Sequence, residues 1–457
     1  MTIKPFNNEL LSFQEIKKRS DYILEILEES LLLNNFVRLE IDIKKTDLLS
    51  WVGSNSAPSG FYFRERSNNE IEIAGSGELI SIKEDSSVDK DELFLSIERQ
   101  LEELPKTVRF YGGVSFFNQI KEENWEPFGN IHFFVPKIEL IHSRNKYTFA
   151  INILSDNFVR SDIESEFDLI IHSQDILNNS RKEIKNISGN PDYEGWVKNI
   201  NLYLDKIDEG IISKIVASRC MKISFAEKMN PWGILKSLRE HSEKCTVFLF
   251  NFDKEFFFLG ATPEMLFERS GKNLKTEAVA GTRPADPDRS ISEKFAKELL
   301  NSDKENREHN NVVSFIKKKL DPLCNSIAVS EKKSLKLSTL QHIYTKIECV
   351  LKNGIGDRDI LFSLMPTPAV SGNPMEIAMK ILKDTESYDR GWYSGAVGFV
   401  SKDKTSLWVS IRSGLIKGKD INLYSGAGIV SGSDPEKEWQ ESELKLKKFK
   451  EVITYEH

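Results

Sequence analysis

The sequence predicts an α+β protein made of two linked halves, and three observations support this class. Helical spacing of apolar residues alternates along the chain with short runs of β-branched and aromatic residues. No segment repeats with a period of about 20 to 50 residues, which argues against solenoids and propellers. A polar segment at 178–193, containing Gly189 and Pro191, is interpreted as a linker between the halves.

The composition excludes several classes of protein. The 457 residues include 63 Lys plus Arg and 70 Asp plus Glu, a net charge of -7, which does not favour a nucleic-acid binder. The apolar runs fall short of the about 20 residues that a membrane-spanning helix needs, and the first residues lack a secretory pattern. The four cysteines form no CxxC pair and are predicted to be reduced. We therefore expect a cytoplasmic protein that binds neither membrane nor nucleic acid.

The first half, residues 1–190, is predicted to be rich in strands. Apolar residues at helical spacing predict helices over 10–34 and 89–104. Alternating or β-forming residues predict strands at 37–43, 61–63, 71–73, 108–117, 131–141 and 147–153, of which the last two form a hairpin.

The second half, residues 191–457, begins with a predicted helix whose apolar face ends near Gly210, a residue suited to a helix C-terminus. The remaining elements are predicted in order: a strand at 211–225, a meander of four strands over 246–280, a helix over 292–320 and a helix after Ser433, its predicted N-cap.

Lys214 is the first candidate for chemistry because it lies in the apolar stretch IISKIVASR. Burial of a lysine disfavours the charged form and lowers its pKa, which makes the amine usable as a base near neutral pH. An edge-strand lysine that reaches solvent is the alternative, and the stretch alone does not decide between them.

Two predicted helices carry glutamates in suggestive places. Glu308 precedes Val312 by four residues and so continues an apolar stripe, where a carboxylate needs a cation. Glu438, Glu441 and Lys445 are spaced by three and four and share a helix face. Glutamates three apart can both reach a hard cation such as Mg²⁺, although by spacing alone an exposed Glu441–Lys445 ion pair is the more common explanation.

Other candidates stand in turns and strands. Glu264 ends the turn GATPE between two apolar strands, and Gly426 and Gly428 follow a strand and could present backbone N–H groups to an anion. Arg412 lies on an apolar strand, where a guanidinium needs a carboxylate from the protein or from a ligand. No HExxH or HxH spacing indicates zinc.

Read in order, several blocks resemble the chorismate-utilising enzymes, and most closely the isochorismate synthases. These blocks are KIVASR, FLGATPE, TEAVAGTRP, REHNNVV, PTPAVSGNP, RGWYSGAVGF, SIRSG and LYSGAGIVSGSDPEKEWQESELK, and the resemblance covers residues 61–446. It implies one large, two-lobed α+β domain with two stacked antiparallel-rich β-sheets surrounded by helices. Residues 1–190 and 191–457 would then be the N-terminal half and the chorismate-binding catalytic half of a single fold, joined internally near residue 185.

The resemblance also implies roles for individual residues. Glu308 and Glu441 match metal-binding glutamates, with Glu438 and Glu305 placed to hold waters of a Mg²⁺ ion. Lys214 matches the lysine that activates water for attack at C2 of chorismate, and Glu264 the acid that protonates the departing C4 hydroxyl. The substrate is expected to contact His342, Tyr393, Arg412, Gly281, Thr282, Gly426, Gly428 and Lys445.

Within the family, single residues favour one reaction. Anthranilate synthases, which use ammonia and usually a glutaminase partner, lack a lysine at the place of Lys214. Aminodeoxychorismate synthases carry a nucleophilic lysine where this chain has Ala280. Salicylate synthases, which go on to eliminate pyruvate, tend to have threonine in place of Ala369. We therefore expect a monomeric isochorismate synthase of quinone biosynthesis, with a siderophore pathway, a salicylate synthase and a non-catalytic chorismate-binding protein as alternatives.

Overall fold

The structure is a computed structural model of the 457-residue chain. It describes residues 1–6, 9–54, 57–66, 71–83, 89–120, 122–161, 163–164, 182–242, 244–286, 288–337 and 340–454.

Strands form most of the interior. In chain order they are β1 Thr2–Ile3, β2 Phe36–Ile43, β3 Gly60–Arg64, β4 Ile71–Lys83, β5 Arg109–Val114, β6 Ile131–Ser143, β7 Lys146–Leu154, β8 Ile184–Asn190, β9 Lys214–Phe225, β10 Thr246–Asn251, β11 Phe256–Thr262, β12 Met265–Ser270, β13 Asn273–Pro284, β14 Cys324–Val329, β15 Lys333–Lys336, β16 Leu340–Leu351, β17 Gly372–Asn373, β18 Ala396–Ser401, β19 Lys404–Val409, β20 Ser413–Lys417 and β21 Asp420–Ile429.

The α-helices lie around these strands. Those that the structure describes are α1 Phe13–Lys18, α2 Ser20–Leu31, α3 Leu48–Ser54, α4 Lys90–Glu103, α5 Tyr193–Asp208, α6 Pro231–His241, α7 Arg289–Asn301, α8 Asp303–Leu320, α9 Asp357–Leu364, α10 Met375–Thr385 and α11 Pro435–Thr454. None of the helices in the described ranges is long and apolar enough to cross a membrane.

The strands pair into two antiparallel sheets that share the long strand β6. One sheet runs in the order β8, β9, β21, β20, β11, β10, β3, β4, β6, β7 and β2. The other leaves β6 through β5, β18, β19, β12, β13 and β16. One half of β6 pairs with β7 and the other half with β5, so this strand is the corner at which the sheets join.

Three apolar clusters hold the layers together. On β3, Phe61 and Phe63 face one cluster while Tyr62 faces another, the alternation expected of a strand buried on both faces. The cluster that contains Phe61 and Phe63 is mostly aromatic. It includes Phe248 from the first sheet and Trp408 from the second, so it lies between the two sheets. The other two clusters pack helices on the outer faces. The stacked α+β arrangement expected from the resemblance is therefore confirmed.

Two expectations about connections were wrong. The segment interpreted as a linker contains strand β8, which pairs with β9, while residues 165–181 lie outside the described ranges. The helix expected over 292–320 is two helices, because Ser302 has extended backbone and its side chain accepts a hydrogen bond from the Glu305 N–H at 3.4 Å. Strand β8 depends on pairing with a distant strand and the helix break on a single polar cap, and apolar periodicity detects neither.

The predicted meander over 246–280 forms four strands, but they do not remain side by side. Strand β11 pairs with β20 in the first sheet, whereas β12 pairs with β19 in the second. The chain therefore crosses from one sheet to the other in the turn formed by Pro263 and Glu264. This crossing opens the space in which most of the predicted site residues are found.

Candidate active site

A cavity of about 80 Å³ lies between strands of both sheets and helices α8 and α11. Predicted site residues that line it are Glu264, Gly281, Thr282, Glu308, His342, Tyr393, Arg412, Gly426, Gly428, Glu441 and Lys445. Lys214, Glu305 and Glu438 lie outside the lining but contact or neighbour residues within it. Residues far apart in the chain are thus brought together as the resemblance implies.

Lys214, the first residue of β9, is fully buried, so the alternative of a solvent-exposed edge lysine was wrong. Its Nζ donates a hydrogen bond to Oε1 of Glu308 at 2.8 Å. A Cβ at position 428 would lie 2.6 Å from that oxygen and 3.3 Å from Cε of Lys214. A side chain at position 428 would therefore push the ends of Glu308 and Lys214 aside.

Glu264 lies at the crossing between the sheets and is almost completely buried. Its carbonyl oxygen accepts a hydrogen bond from the Val409 N–H at 3.0 Å, which ties the turn to the second sheet. Burial raises the pKa of Glu264 to about 8; the charge of Glu277 adds to the rise, and Lys214 opposes it. The raised pKa favours the protonated form of this side chain at neutral pH.

Four glutamates stand where helix α8 passes helix α11. Burial raises the pKa of Glu305, and the negative charges of Glu308 and Glu441 add to the rise. The pKa of Glu438 is raised by burial and by Glu441. Their cationic partners, at 2.7 or 2.8 Å, are Arg283 for Glu305, Lys214 for Glu308, Lys304 for Glu438 and Lys445 for Glu441.

These glutamates fit a divalent cation in chemistry but not yet in arrangement. Carboxylates are the oxygen donors that Mg²⁺ prefers, and a cation would relieve the repulsion among them. Across the described parts of the chain, however, no three acidic, imidazole or thiol groups converge closely enough to hold an ion. The reason is that each glutamate is turned toward a lysine or arginine, so metal binding requires these ion pairs to open.

Arg412 and Lys445 form a positively charged part of the cavity lining, which we call the cationic wall. Burial lowers the pKa of Arg412, whose Nη1 donates to the carbonyl oxygen of Lys445 at 3.3 Å. No carboxylate among the described residues pairs with this guanidinium. The Nδ1 of His342 lies 3.0 Å from the Gly281 carbonyl oxygen and so carries the proton, and burial lowers the pKa of His342 to about 3. A neutral imidazole beside an uncompensated guanidinium suits an anionic ligand.

Close packing fixes the remaining lining residues. Lys445 donates from Nζ to the carbonyl oxygen of Gly426 at 2.7 Å, which joins helix α11 to strand β21. A Cβ at Gly426 would approach the hydroxyl oxygen of Tyr393 to 3.2 Å. Gly281 has a φ of +76°, and a Cβ there would lie 2.9 Å from Oε2 of Glu305. Both glycines therefore permit approaches that side chains would block.

Sequence reasoning missed Arg283 and Lys304, which pair with Glu305 and Glu438, and a charge network behind Glu264. Arg66 contacts both the Pro263 carbonyl oxygen and the carboxylate of Glu277. The Tyr344 hydroxyl donates to the same carboxylate at 2.9 Å. For Lys304, the spacing of four residues to Glu308 was an available signal; nothing in the sequence links Arg66 to the site.

The predicted start of helix α11 was wrong by one residue. Ser433 is not the N-cap of α11, because Asp434 accepts a hydrogen bond from the Lys437 N–H at 3.0 Å.

Comparison with known proteins finds relatives over most of the chain. A family model described as chorismate binding enzyme matches residues 25–454. The chain is 31% identical over 412 residues to the isochorismate synthase MenF of Escherichia coli, covering 90% of this chain and 91% of that protein. It is 30% identical over 444 residues to the chloroplastic isochorismate synthase 2 of Arabidopsis thaliana, covering 94% and 77% respectively.

A solved structure gives the same result for the fold. The structure of the menaquinone-specific isochorismate synthase MenF from Escherichia coli superposes with a TM-score of 0.82 at 28% identity, covering 95% of this chain and 100% of that chain. The match includes both sheets and is not confined to the cavity. This chain therefore belongs to the chorismate-binding enzyme family.

Proposed function

We propose that this protein is an isochorismate synthase, an isomerase that converts chorismate to isochorismate reversibly with Mg²⁺. One observation carries the proposal. A buried carboxylic acid, Glu264, lines the cavity, a fully buried lysine amine, Lys214, contacts Glu308 of the same lining, and the charges of Lys214 and Glu264 interact. Such a pair supplies the base and the acid that exchange of one ring hydroxyl for another requires.

In this mechanism Lys214 removes a proton from a water molecule, whose oxygen forms a bond to C2 of the ring. The C4–O bond breaks as the ring double bonds shift, and Glu264 gives its proton to the departing hydroxyl, which leaves as water. One water is consumed and one released, so the reverse reaction uses the same groups with their roles exchanged. The raised pKa of Glu264, about 8, supports its role as the acid.

Lys214 can accept a proton only when it is not held as the ammonium partner of Glu308. This ion pair must therefore open before the step. Glu308 and Glu441 would bind Mg²⁺ directly, and Glu305 and Glu438 would hold waters of the ion. When bound, the ion neutralises the ring carboxylate of chorismate and fixes its position. Engagement of Glu308 with a cation would weaken its hold on Lys214, so the acidic helices and the base are expected to act as a unit.

The substrate carries two carboxylates, and the cationic wall is suited to them. We assign its binding to Arg412, Tyr393, Lys445, His342, Thr282 and the backbone of Gly281, Gly426 and Gly428. Arg412 is the strongest of these because it is buried and has no carboxylate partner among the described residues. Ala280 and Ala369 also line the cavity, and neither side chain supplies a nucleophile or a hydroxyl. These small residues favour hydration without a second elimination step.

The relatives named above include a menaquinone-specific bacterial enzyme and a chloroplastic plant enzyme. On that basis we assign the product to quinone biosynthesis, menaquinone or phylloquinone, in preference to siderophore formation. We also propose that the protein acts in the cytoplasm as a monomer. It needs no glutaminase partner, since water rather than ammonia is the nucleophile.

The direct test is to incubate purified protein with chorismate and Mg²⁺ without ammonia and to identify the initial product by chromatography and NMR. Isochorismate is expected first, and the same equilibrium mixture should be reached from isochorismate. Anthranilate formed only with ammonia, or salicylate as the main initial product, would assign a different reaction. Chorismate bound and returned unchanged would identify a sensor instead of an enzyme.

A further inference from the structure

A second and larger cavity adjoins the catalytic one. Its volume is about 490 Å³, and Pro263, Arg412 and Lys445 line both cavities. We call this second cavity the antechamber. Its walls come from the end of α6, the start of β10, the hairpin of β15 and β16, and helix α11. Exposed residues such as Lys244 belong to its lining, so the antechamber is open to solvent, and the three shared residues place it beside the catalytic cavity.

The antechamber is cationic although the protein as a whole is acidic. Beyond Arg412 and Lys445, its lining contains Lys244, Lys336 and Lys448, which we call the outer lysines; Glu240 is the one carboxylate among its described lining residues. This concentration of positive charge stands against a net charge of -7 for the chain. A charged, low-dielectric concavity focuses its field and attracts ions of opposite sign.

The charges of the outer lysines are poorly compensated. Lys336 donates to the carbonyl oxygen of Asp286 at 3.0 Å, which leaves its positive charge unpaired. Lys448 is 3.5 Å from Glu451, and both side chains remain partly exposed to solvent. Lys244 forms no ion pair with any residue in the described ranges. Lys244 and Lys336 thus have no carboxylate partner among the described residues, and Lys448 has a distant, partly exposed one, so the three ammonium groups can turn to an anion in the antechamber.

The sizes of the two cavities support a shared role. Small-molecule sites usually measure about 300–1,000 Å³, so the catalytic cavity of about 80 Å³ is small for a complete site, while the two together fall within this range. The antechamber also has an apolar side formed by Leu238, Leu337 and Phe449. A compact molecule with two carboxylates and an apolar ring matches both surfaces.

We infer that the antechamber is the entrance of the active site and that Lys244, Lys336 and Lys448 capture the dianionic substrate before Arg412 receives it. The inference rests on the proposed function in its choice of substrate. The outer lysines act on encounter and binding, whereas Lys214 and Glu264 act on the reacting atoms. Their removal should therefore raise KM and leave the chemical step in place.

The test uses the triple variant Lys244→Gln, Lys336→Gln, Lys448→Gln in the full chain. A matched control neutralises three exposed lysines elsewhere: Lys45, Lys198 and Lys318. At low ionic strength we expect the outer-lysine variant to raise KM for chorismate about three- to tenfold, with kcat within about twofold of the parent. The control should match the parent. Thermal unfolding of all three proteins checks that the fold is intact.

Salt dependence gives the second readout. Raising ionic strength from about 0.01 M to about 0.15 M shortens the Debye length from about 30 Å to about 8 Å, so kcat/KM of the parent should fall. The outer-lysine variant should show a shallower fall. Equal KM and equal salt dependence in parent and variant would overturn the inference. An equal change in the control would also overturn it, because net charge and not the antechamber would be responsible.

Two further measurements separate this inference from the proposed function. Calorimetric titration with chorismate reports binding even without turnover, so binding without conversion rejects only the proposed function. The antechamber is then judged by whether the outer-lysine variant weakens Kd. A parent that neither binds nor converts chorismate rejects both. Inhibition by inorganic phosphate that is lost in the variant, with KM for chorismate unchanged, would identify a separate anion site and overturn the inference.

Discussion

The same residue type serves two purposes in two regions of this site, and the difference lies in the partners. Glu264, at the crossing between the sheets, is buried without a hydrogen-bonded cation among the described residues, and its pKa rises to about 8. Of the glutamates on helices α8 and α11, Glu305 and Glu438 are buried while Glu308 and Glu441 are half-buried, and each is paired with a lysine or arginine. Burial raises the pKa in both regions, since Glu305 and Glu438 shift in the same direction as Glu264, but only the helix glutamates have a hydrogen-bonded cation that a metal ion could replace.

The largest expected effect comes from removing the base. Lys214→Ala should reduce kcat about 10²- to 10⁴-fold and leave binding of chorismate largely intact, because Arg412 and Lys445 remain. Lys222→Ala is the matched control, since Lys222 lies on the same strand but pairs with Asp420 near the surface. Steady-state kinetics and titration calorimetry measure the two quantities. Unchanged turnover in Lys214→Ala would mean that the base lies elsewhere.

The next effect concerns the paired glutamates. Glu308→Gln or Glu441→Gln should raise the Mg²⁺ concentration for half-maximal activity by about 10- to 100-fold, because each loses a charged oxygen donor. Chelation of the metal should abolish the activity of the parent. Glu436→Gln, on the exposed side of α11, is the control and should behave as the parent. Full activity after chelation would contradict the assignment of these glutamates.

The pH dependence of activity tests the role of Glu264 at the crossing between the sheets. Glu264 must hold its proton to act as the acid, so activity should be present below about pH 8 and fall about tenfold for each pH unit above it. The sign follows from the raised pKa: the working form is retained at neutral pH and lost as pH rises. Glu264→Gln should abolish this limb together with most of the activity. A parent profile that stays level well above pH 8 would exclude Glu264 as the acid.

The smallest effect distinguishes charge from simple packing behind Glu264. Glu277 raises the pKa of Glu264 and Arg66 lowers it, although the two contact each other. Glu277→Gln should therefore move the alkaline limb to lower pH, and Arg66→Met should move it to higher pH, changing activity near pH 8 by about two- to fivefold. Shifts in the same direction would indicate structural damage. Glu268→Gln, on strand β12, serves as the control.

Local elements could be predicted from the sequence because local patterns encode them. The strands predicted over 246–280 are runs of apolar and β-forming residues with turn residues between them, and each one forms. The partners of these strands could not be predicted, since β11 pairs with β20, far along the chain. Strand β8 was missed because its NISGN stretch is exposed and carries no apolar alternation.

Site residues divide in the same way. Lys214 and Glu308 could be singled out because each places a charge on an apolar face, and that conflict is visible in the sequence. That they pair with each other depends on how helix α8 lies against strand β9, which no local pattern specifies. Arg66 illustrates the limit most clearly: its contacts with Pro263 and Glu277 exist only because β3, β12 and β13 meet in the folded chain.

The crossing at Pro263 and Glu264 has a consequence for anyone who would transfer this chemistry to another scaffold. Because β11 is held by one layer and β12 by the other, no contiguous peptide contains the information that aims the acid. A graft would have to carry β19 and β20 as well, together with the spacing between layers. The smallest portable unit is thus a piece of both sheets.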